Sequence, residues 1–199
     1  MDLSLVDQEA FDPGLSIEQL VAQARAAAEL GVGGICIEPY FLSAVASALQ
    51  GTNTQTVAVL RTRAMGKSII KAIETSSAIK DGADRVEVAI NWSMLAQNDF
   101  AAIRAELLEI TRAARAARED VILSAYCIHL PDRLDQLAEA VRQGAFDELV
   151  LHPPGEDDFD RVKQAMQGLR LKYSSMVEPP DDLLAAGADR AGVPMIDAE

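Results

Sequence analysis

The stretch SIIKAIETSSAIKDGADRVEVAI, residues 68–90, holds a helix, a turn and a strand in sequence. Apolar residues recur at helical spacing from Ser68 to Lys80, and the pattern breaks at Asp81-Gly82. A run with β-branched residues follows from Arg85 to Ile90. Helical periodicity giving way to a short β-type run is one αβ step of a parallel sheet. The same step recurs upstream. Leu3 to Val6 reads as a first strand and Asp12-Pro13-Gly14 as a turn. Ser16 with Gln19 forms a capping box for a helix that runs to about Leu30 and stops at Gly31. Gly34 to Glu38 is a second strand, ended by Pro39; a helix runs through Leu49, and Gln55 to Leu60 is a third strand.

Downstream the alternation continues. Helices are expected at Asp99–Ala117, Asp132–Arg142, Asp157–Gln167 and Pro180–Ala186. Strands are expected at Asp120–Ala125, Glu148–Leu151, Leu169–Tyr173 and Ala188–Ala191. Seven or eight βα units imply a parallel sheet covered by helices, either open and doubly wound or closed as a (β/α)8 barrel. The first βα turn lacks the glycine fingerprint of a dinucleotide fold. Unit count selects the barrel. At 199 residues it is a minimal one, a single domain over 1–199 with short loops and a truncated C-terminal helix.

The net charge is −13, from 18 Lys and Arg against 31 Asp and Glu. Such a surface repels nucleic acid and anionic membranes, and 5% aromatic residues give little for stacking bases. No apolar run is long enough to span a bilayer. The N-terminal residues lack a basic signal region, and two cysteines, Cys36 and Cys127, make no disulfide framework, so a cytoplasmic setting is expected. With so little terminal helix, the barrel is expected to bury an end by forming a homodimer.

Barrel chemistry sits at the C-terminal ends of the strands. Those ends offer Cys36 and Glu38, Glu87 and Asn91, Ser124 and Tyr126 with Cys127 and His129 after them, His152, and Lys172 and Ser174. Glu87 and Lys172 stand out because each interrupts an apolar strand, where a lone charge is costly. Facing each other inside, they would form an acid–base pair for a carbonyl compound; a structural ion pair is equally consistent with the pattern. Glu38, Glu87 and His152 match no metal-ligand spacing, and no metal or cofactor is expected.

Three segments resemble the deoxyribose-phosphate aldolase family. Residues 33–40, GGICIEPY, are similar to its strand-two motif. Residues 71–75 and 78–88, KAIET and AIKDGADRVEV, are similar to its K-x-x-E-T…A-I-x-D-G-A-D-E-V-D-x-V signature. Residues 186–192, AGADRAG, are similar to the close of its barrel, and Asp2 aligns with the opening-strand aspartate. The resemblance implies a barrel performing class I aldol chemistry. In it a strand-six lysine forms an imine, while a strand-four aspartate and a strand-seven lysine assist proton transfer. These last two fall on Glu87 and Lys172; the imine lysine falls on Leu151.

A leucine forms no imine. The family's phosphate-binding glycines and G-T-S segment are replaced by Ser175-Met176 and Gly192-Val193-Pro194, and Pro194 has no N–H to donate. The expectation is a divergent enzyme acting on an unphosphorylated carbonyl or enolisable molecule through Glu87 and Lys172, with Tyr126 and His129 as auxiliary proton donors. Cys36, Glu38, Asn91, Ser124, Leu151, His152 and Ser174 would line the substrate site. The alternatives are an inactive paralogue that binds a metabolite or protein, its mouth filled by Leu151, Met176 and Met65, and a divalent-metal lyase.

Overall fold

The computed structural model describes residues 2–61 and 64–194. Eight strands form the sheet: β1 (Val6–Ala10), β2 (Gly34–Ile37), β3 (Gln55–Leu60), β4 (Arg85–Ala89), β5 (Ile122–Cys127), β6 (Glu148–Leu151), β7 (Arg170–Ser174) and β8 (Arg190–Pro194). They pair in parallel in chain order, and β8 closes on β1. The covering helices are α1 (Ile17–Glu29), α2 (Leu42–Ala48), α3 (Ser68–Lys80), α4 (Trp92–Ala96), α5 (Phe100–Ala117), α6 (Leu134–Gln143), α7 (Phe159–Ala165) and α8 (Pro180–Ala185). This is the expected (β/α)8 barrel. No helix among the described residues is long and apolar enough to cross a membrane.

Local signals explain most boundaries. Ser16 accepts from the Gln19 N–H and the Gln19 side chain accepts from the Ser16 N–H, so the capping box forms as read. Gly31, at φ 81°, ends that turn in a conformation costly for any other residue. The first strand is a correction. Leu3–Leu5 is a 3-10 turn capped by Asp2, and the strand is Val6–Ala10, VDQEA. Its acids hid it, because a strand that faces a charged interior carries no apolar alternation. β5 begins at Ile122, two residues later than expected, and β8 at Arg190, where each comes into register with its neighbour. The expected lack of a helix after β8 falls on residues 195–199, outside the described residues.

Three of the strand pairs are clamped in one way. Asp84, Asp147 and Asp189 each immediately precede an even-numbered strand. Each carboxylate accepts a backbone N–H from the preceding strand, from Thr56 at 2.9 Å, Leu123 at 2.8 Å and Leu171 at 2.8 Å. Each aspartate's own N–H donates to the carbonyl of that same residue, at 2.8 Å in all three cases. The repeated Gly-Ala-Asp of residues 82–84 and 187–189 is therefore a staple at the bottom of the barrel.

The main apolar core lies between sheet and helices, where Val86, Val88, Leu149 and Leu151 pack with Leu20, Ile103 and Leu107. Inside the barrel the apolar clusters are small. One holds Cys36, Val57 and Val59; the other holds Ala64, Ala89, Tyr126 and Val150. Charged side chains fill much of the remaining interior.

Candidate active site

Alternation along each strand decides which side chains enter the barrel. From β1 come Asp7 and Glu9, from β2 Cys36, from β4 Arg85 and Glu87, and from β6 Glu148. From β7 come Lys172 and Ser174, and from β8 Arg190. Arg61 follows β3 at the upper end. Four carboxylates (Asp7, Glu9, Glu87, Glu148) thus meet four cations (Arg61, Arg85, Lys172, Arg190).

Lys172 is at the centre and 0% exposed. Its Nζ lies 2.5 Å from Glu87 Oε1, 2.9 Å from Asp7 Oδ2, 3.3 Å from Cys36 Sγ and 3.9 Å from Glu9 Oε1. Below, Asp7 also receives Arg85 at 2.7 Å and Arg190 at 2.6 Å. Above, Arg61 spans Glu9 at 3.1 Å and Glu87 at 2.5 Å, with its side chain 16% exposed. A column of alternating charge, Arg190, Asp7, Lys172, Glu87, Arg61, therefore runs from the barrel bottom to its mouth.

Burial opposes every one of these charges, and the neighbours decide the outcome. Burial would raise Glu87, yet Lys172, Arg61 and Arg85 hold its carboxyl down at about 2. Asp7, equally buried, is held well below the usual carboxylate range by Arg85, Lys172 and Arg190. Burial disfavours the Lys172 ammonium, but Asp7 and Glu87 hold it above the ordinary lysine value. Burial pushes the Cys36 thiol up, so it stays neutral. In this arrangement Lys172 is held as an ammonium, which is not a nucleophile.

The expected pair of Glu87 and Lys172 is thus in direct contact, with Cys36 beside it. Ser124 donates to Glu148 at 2.8 Å and Ser174 to Glu9 at 2.7 Å. Asn91 caps α4, accepting from the N–H groups of Ser93 and Met94. Glu38 is half-buried one residue beyond β2, at the cap of the 3-10 turn Pro39–Phe41. His129 is exposed, and its backbone carbonyl accepts the Cys127 thiol. The imidazole that meets Tyr126 belongs to His152, whose Nε2 lies 2.9 Å from the phenol oxygen.

Leu151 requires a correction. Its side chain lies in the core between sheet and helices, and Val150 faces inward between Tyr126 and Lys172. A slip of one residue exchanges the two faces of a strand. The inward β6 position is Val150, which is apolar. Asp2, aligned with the opening-strand aspartate, is exposed; Asp7 supplies that carboxylate inside the barrel.

Sequence reading missed Asp7, Glu9, Arg61, Arg85, Glu148 and Arg190. Arg85 and Glu148 each open a strand next to an aspartate, so the rule that singled out Glu87, a charge interrupting an apolar strand, does not reach them. Asp7, Cys36 and Glu87 offer atoms within 4.8 Å of one another, a spacing able to hold a metal ion. The Lys172 ammonium occupies that space, so the protein's own cation fills the seat.

A cavity of about 340 Å³ adjoins Glu9 and is lined also by Phe11, Asp12, Gln23, Met176 and Pro194. Met65 and Met176 are 68% and 64% exposed and do not plug the barrel.

The axis of this closed eight-stranded barrel presents a lysine and carboxylates. Over 192 residues the chain is 28% identical to the deoxyribose-phosphate aldolase of Streptococcus pneumoniae serotype 19F (strain G54), covering 96% of this chain and 82% of that one. Among solved structures it superimposes on the aldolase QR15 with a TM-score of 0.85 at 19% identity, covering 96% of this chain and 90% of the other. It also superimposes on the tetrameric deoxyribose phosphate aldolase of Aeropyrum pernix with a TM-score of 0.81 at 16% identity, covering 96% and 85%. No protein-family model matches the chain.

Proposed function

We propose that this protein is a divergent relative of the deoxyribose-phosphate aldolases. It would act on a small unphosphorylated carbonyl compound by acid–base chemistry, without an imine. The observation that carries the reading is the contact of Lys172 Nζ with Glu87 at 2.5 Å, next to an inward valine on β6. The ammonium and the Arg61 guanidinium stabilise negative charge that develops on a carbonyl oxygen as an enolate forms, and Glu87 serves as the base. A preference for unphosphorylated substrates is supported by the mouth cavity. Glu9 and Asp12 line it, Pro194 offers no N–H, and a phosphate dianion would meet carboxylates there.

The test is incubation with hydroxyacetone, glycolaldehyde and acetaldehyde. Borohydride trapping is expected to leave every lysine unmodified, while α-protons of the probes exchange in D2O. Glu87→Gln and Lys172→Met are expected to lose that exchange. Full activity in both variants would overturn the reading, and a reduced adduct on Lys172 would replace it with imine chemistry on a relocated lysine.

A second reading, an inactive barrel that binds a metabolite or protein, is favoured by one observation. Glu87 and Lys172 are both wholly enclosed, with Arg61 bonded across the top. A folded protein that exchanges none of the probes would support it.

We also propose self-association through α3. Ile69 and Ile73 lie one turn apart on its outer face, 50% and 58% exposed, with Met65 just before them. In a chain of net charge −13, exposed isoleucines on one helix are where two copies can approach.

A further inference from the structure

We infer that Tyr126 and His152 form the proton relay of the barrel mouth, with Tyr126 touching the substrate and His152 acting through it. This inference rests on the acid–base reading above and names the groups that exchange its proton with solvent. The Tyr126 oxygen lies 2.9 Å from His152 Nε2, and the two rings meet edge to face at 5.9 Å. His152 Nδ1 lies 2.9 Å from the backbone carbonyl oxygen of Ser174. A carbonyl oxygen only accepts, so Nδ1 carries the hydrogen. Nε2 is then left with its lone pair toward Tyr126, and the phenol donates to it. One backbone contact therefore sets both the tautomer and the direction of the relay.

The surroundings fit that role. Tyr126 follows Ser124 on the inward face of β5, at the level where Val150 faces the axis. The Arg61 guanidinium lies 4.2 Å from the Tyr126 ring centroid, and the same guanidinium holds Glu9 and Glu87. His152 is exposed, while Tyr126 is buried. The inner member faces the substrate side, and the outer member reaches bulk water.

The step balances as follows. Glu87 takes the proton of the substrate's α-carbon and passes it to the phenol oxygen as that oxygen passes its own proton to Nε2. The electron pair of the broken C–H bond becomes the C=C bond of the enolate, and the carbonyl oxygen takes the negative charge. His152 becomes an imidazolium with Nδ1–H on Ser174 and Nε2–H on Tyr126, and then releases a proton to water. The charged groups facing the pair are Arg61 over the ring, with Glu9 and Glu87 behind it.

Two measurements test the inference. Imidazole 15N spectroscopy of the whole protein is expected to show His152 as the Nδ1–H tautomer. Hydrogen–deuterium exchange of hydroxyacetone is expected to fall at least about 100-fold in Tyr126→Phe. In His152→Gln the exchange is also expected to fall, in kcat rather than in KM. An Nε2–H tautomer overturns the relay whatever the activity. Parental exchange rates in both variants overturn the relay and leave the Glu87 and Lys172 reading standing. No exchange by the parent protein overturns that reading and the relay with it.

Discussion

Lys172 gives up all contact with water on folding, and the carboxylates around it make that tolerable. Removing Lys172 alone leaves Asp7 and Glu87 short of a cation, and removing the Glu87 charge alone does the reverse. Lys172→Met and Glu87→Leu are each expected to cost about 3–5 kcal/mol in urea unfolding. The double variant leaves Asp7 with Arg85 and Arg190, and Glu9 with Arg61, so it is expected to recover most of that loss. Simple additivity in the cycle would contradict a shared interaction. Acid should reveal the same lattice. Burial notwithstanding, Lys172, Arg61 and Arg85 hold Glu87 at about 2 against an ordinary 4.5. Across that interval the unfolded chain binds more protons than the folded one. The contribution to stability is therefore complete above about pH 4.5 and is lost as pH falls toward 2. Glu87→Gln is expected to flatten this limb of the stability profile, and an unaltered limb would assign acid sensitivity to other groups. Glu87 and Lys172 were legible in the sequence because they break apolar runs. Asp7 and Glu9 were not, because the strand that carries them, VDQEA, has too little apolar character to declare itself. The mistaken choice of Leu151 over Val150 shows the limit of reading a gapped segment. One residue of slip moves a side chain from the barrel axis to the helix layer.

At the scale of elements, the helices were the most legible part, because their ends carry chemistry of their own. The Ser16 and Gln19 box is present on both sides, and Ser16→Ala is expected to cost about 1 kcal/mol. The aspartate staples were visible only as a repeated Gly-Ala-Asp, and their meaning needed the neighbouring strand. Each makes two bonds to one residue across a strand pair. Asp84→Ala, Asp147→Ala and Asp189→Ala are each expected to lose about 1–2 kcal/mol through an orphaned strand N–H. Amide hydrogen exchange at Thr56, Leu123 and Leu171 would report the loss, and unchanged protection at these amides would deny the staple a role.

Across the whole molecule, barrel closure was legible from the count of βα units, whereas the ionic interior was not. That interior depends on side chains from every part of the chain converging on one axis, and no local pattern encodes such convergence. The exposed face of α3 belongs to this scale too. Sedimentation velocity is expected to show a dimer that Ile69→Glu with Ile73→Glu converts to monomer, and a monomeric parent protein would remove α3 as an interface.

The staples also divide the barrel into parts that can be made separately. They lie within the β3–β4, β5–β6 and β7–β8 pairs. A break at the exposed Gln97–Asn98 link leaves every staple inside one fragment or the other. Residues 1–97 and 98–199, produced as two chains, should therefore find each other and close into a barrel. A break at Gly66–Lys67 parts Asp84 from Thr56, so those two pieces should assemble less well. Complementation of split halves, scored by recovery of the folded complex, tests whether the staples mark the units from which the barrel assembles.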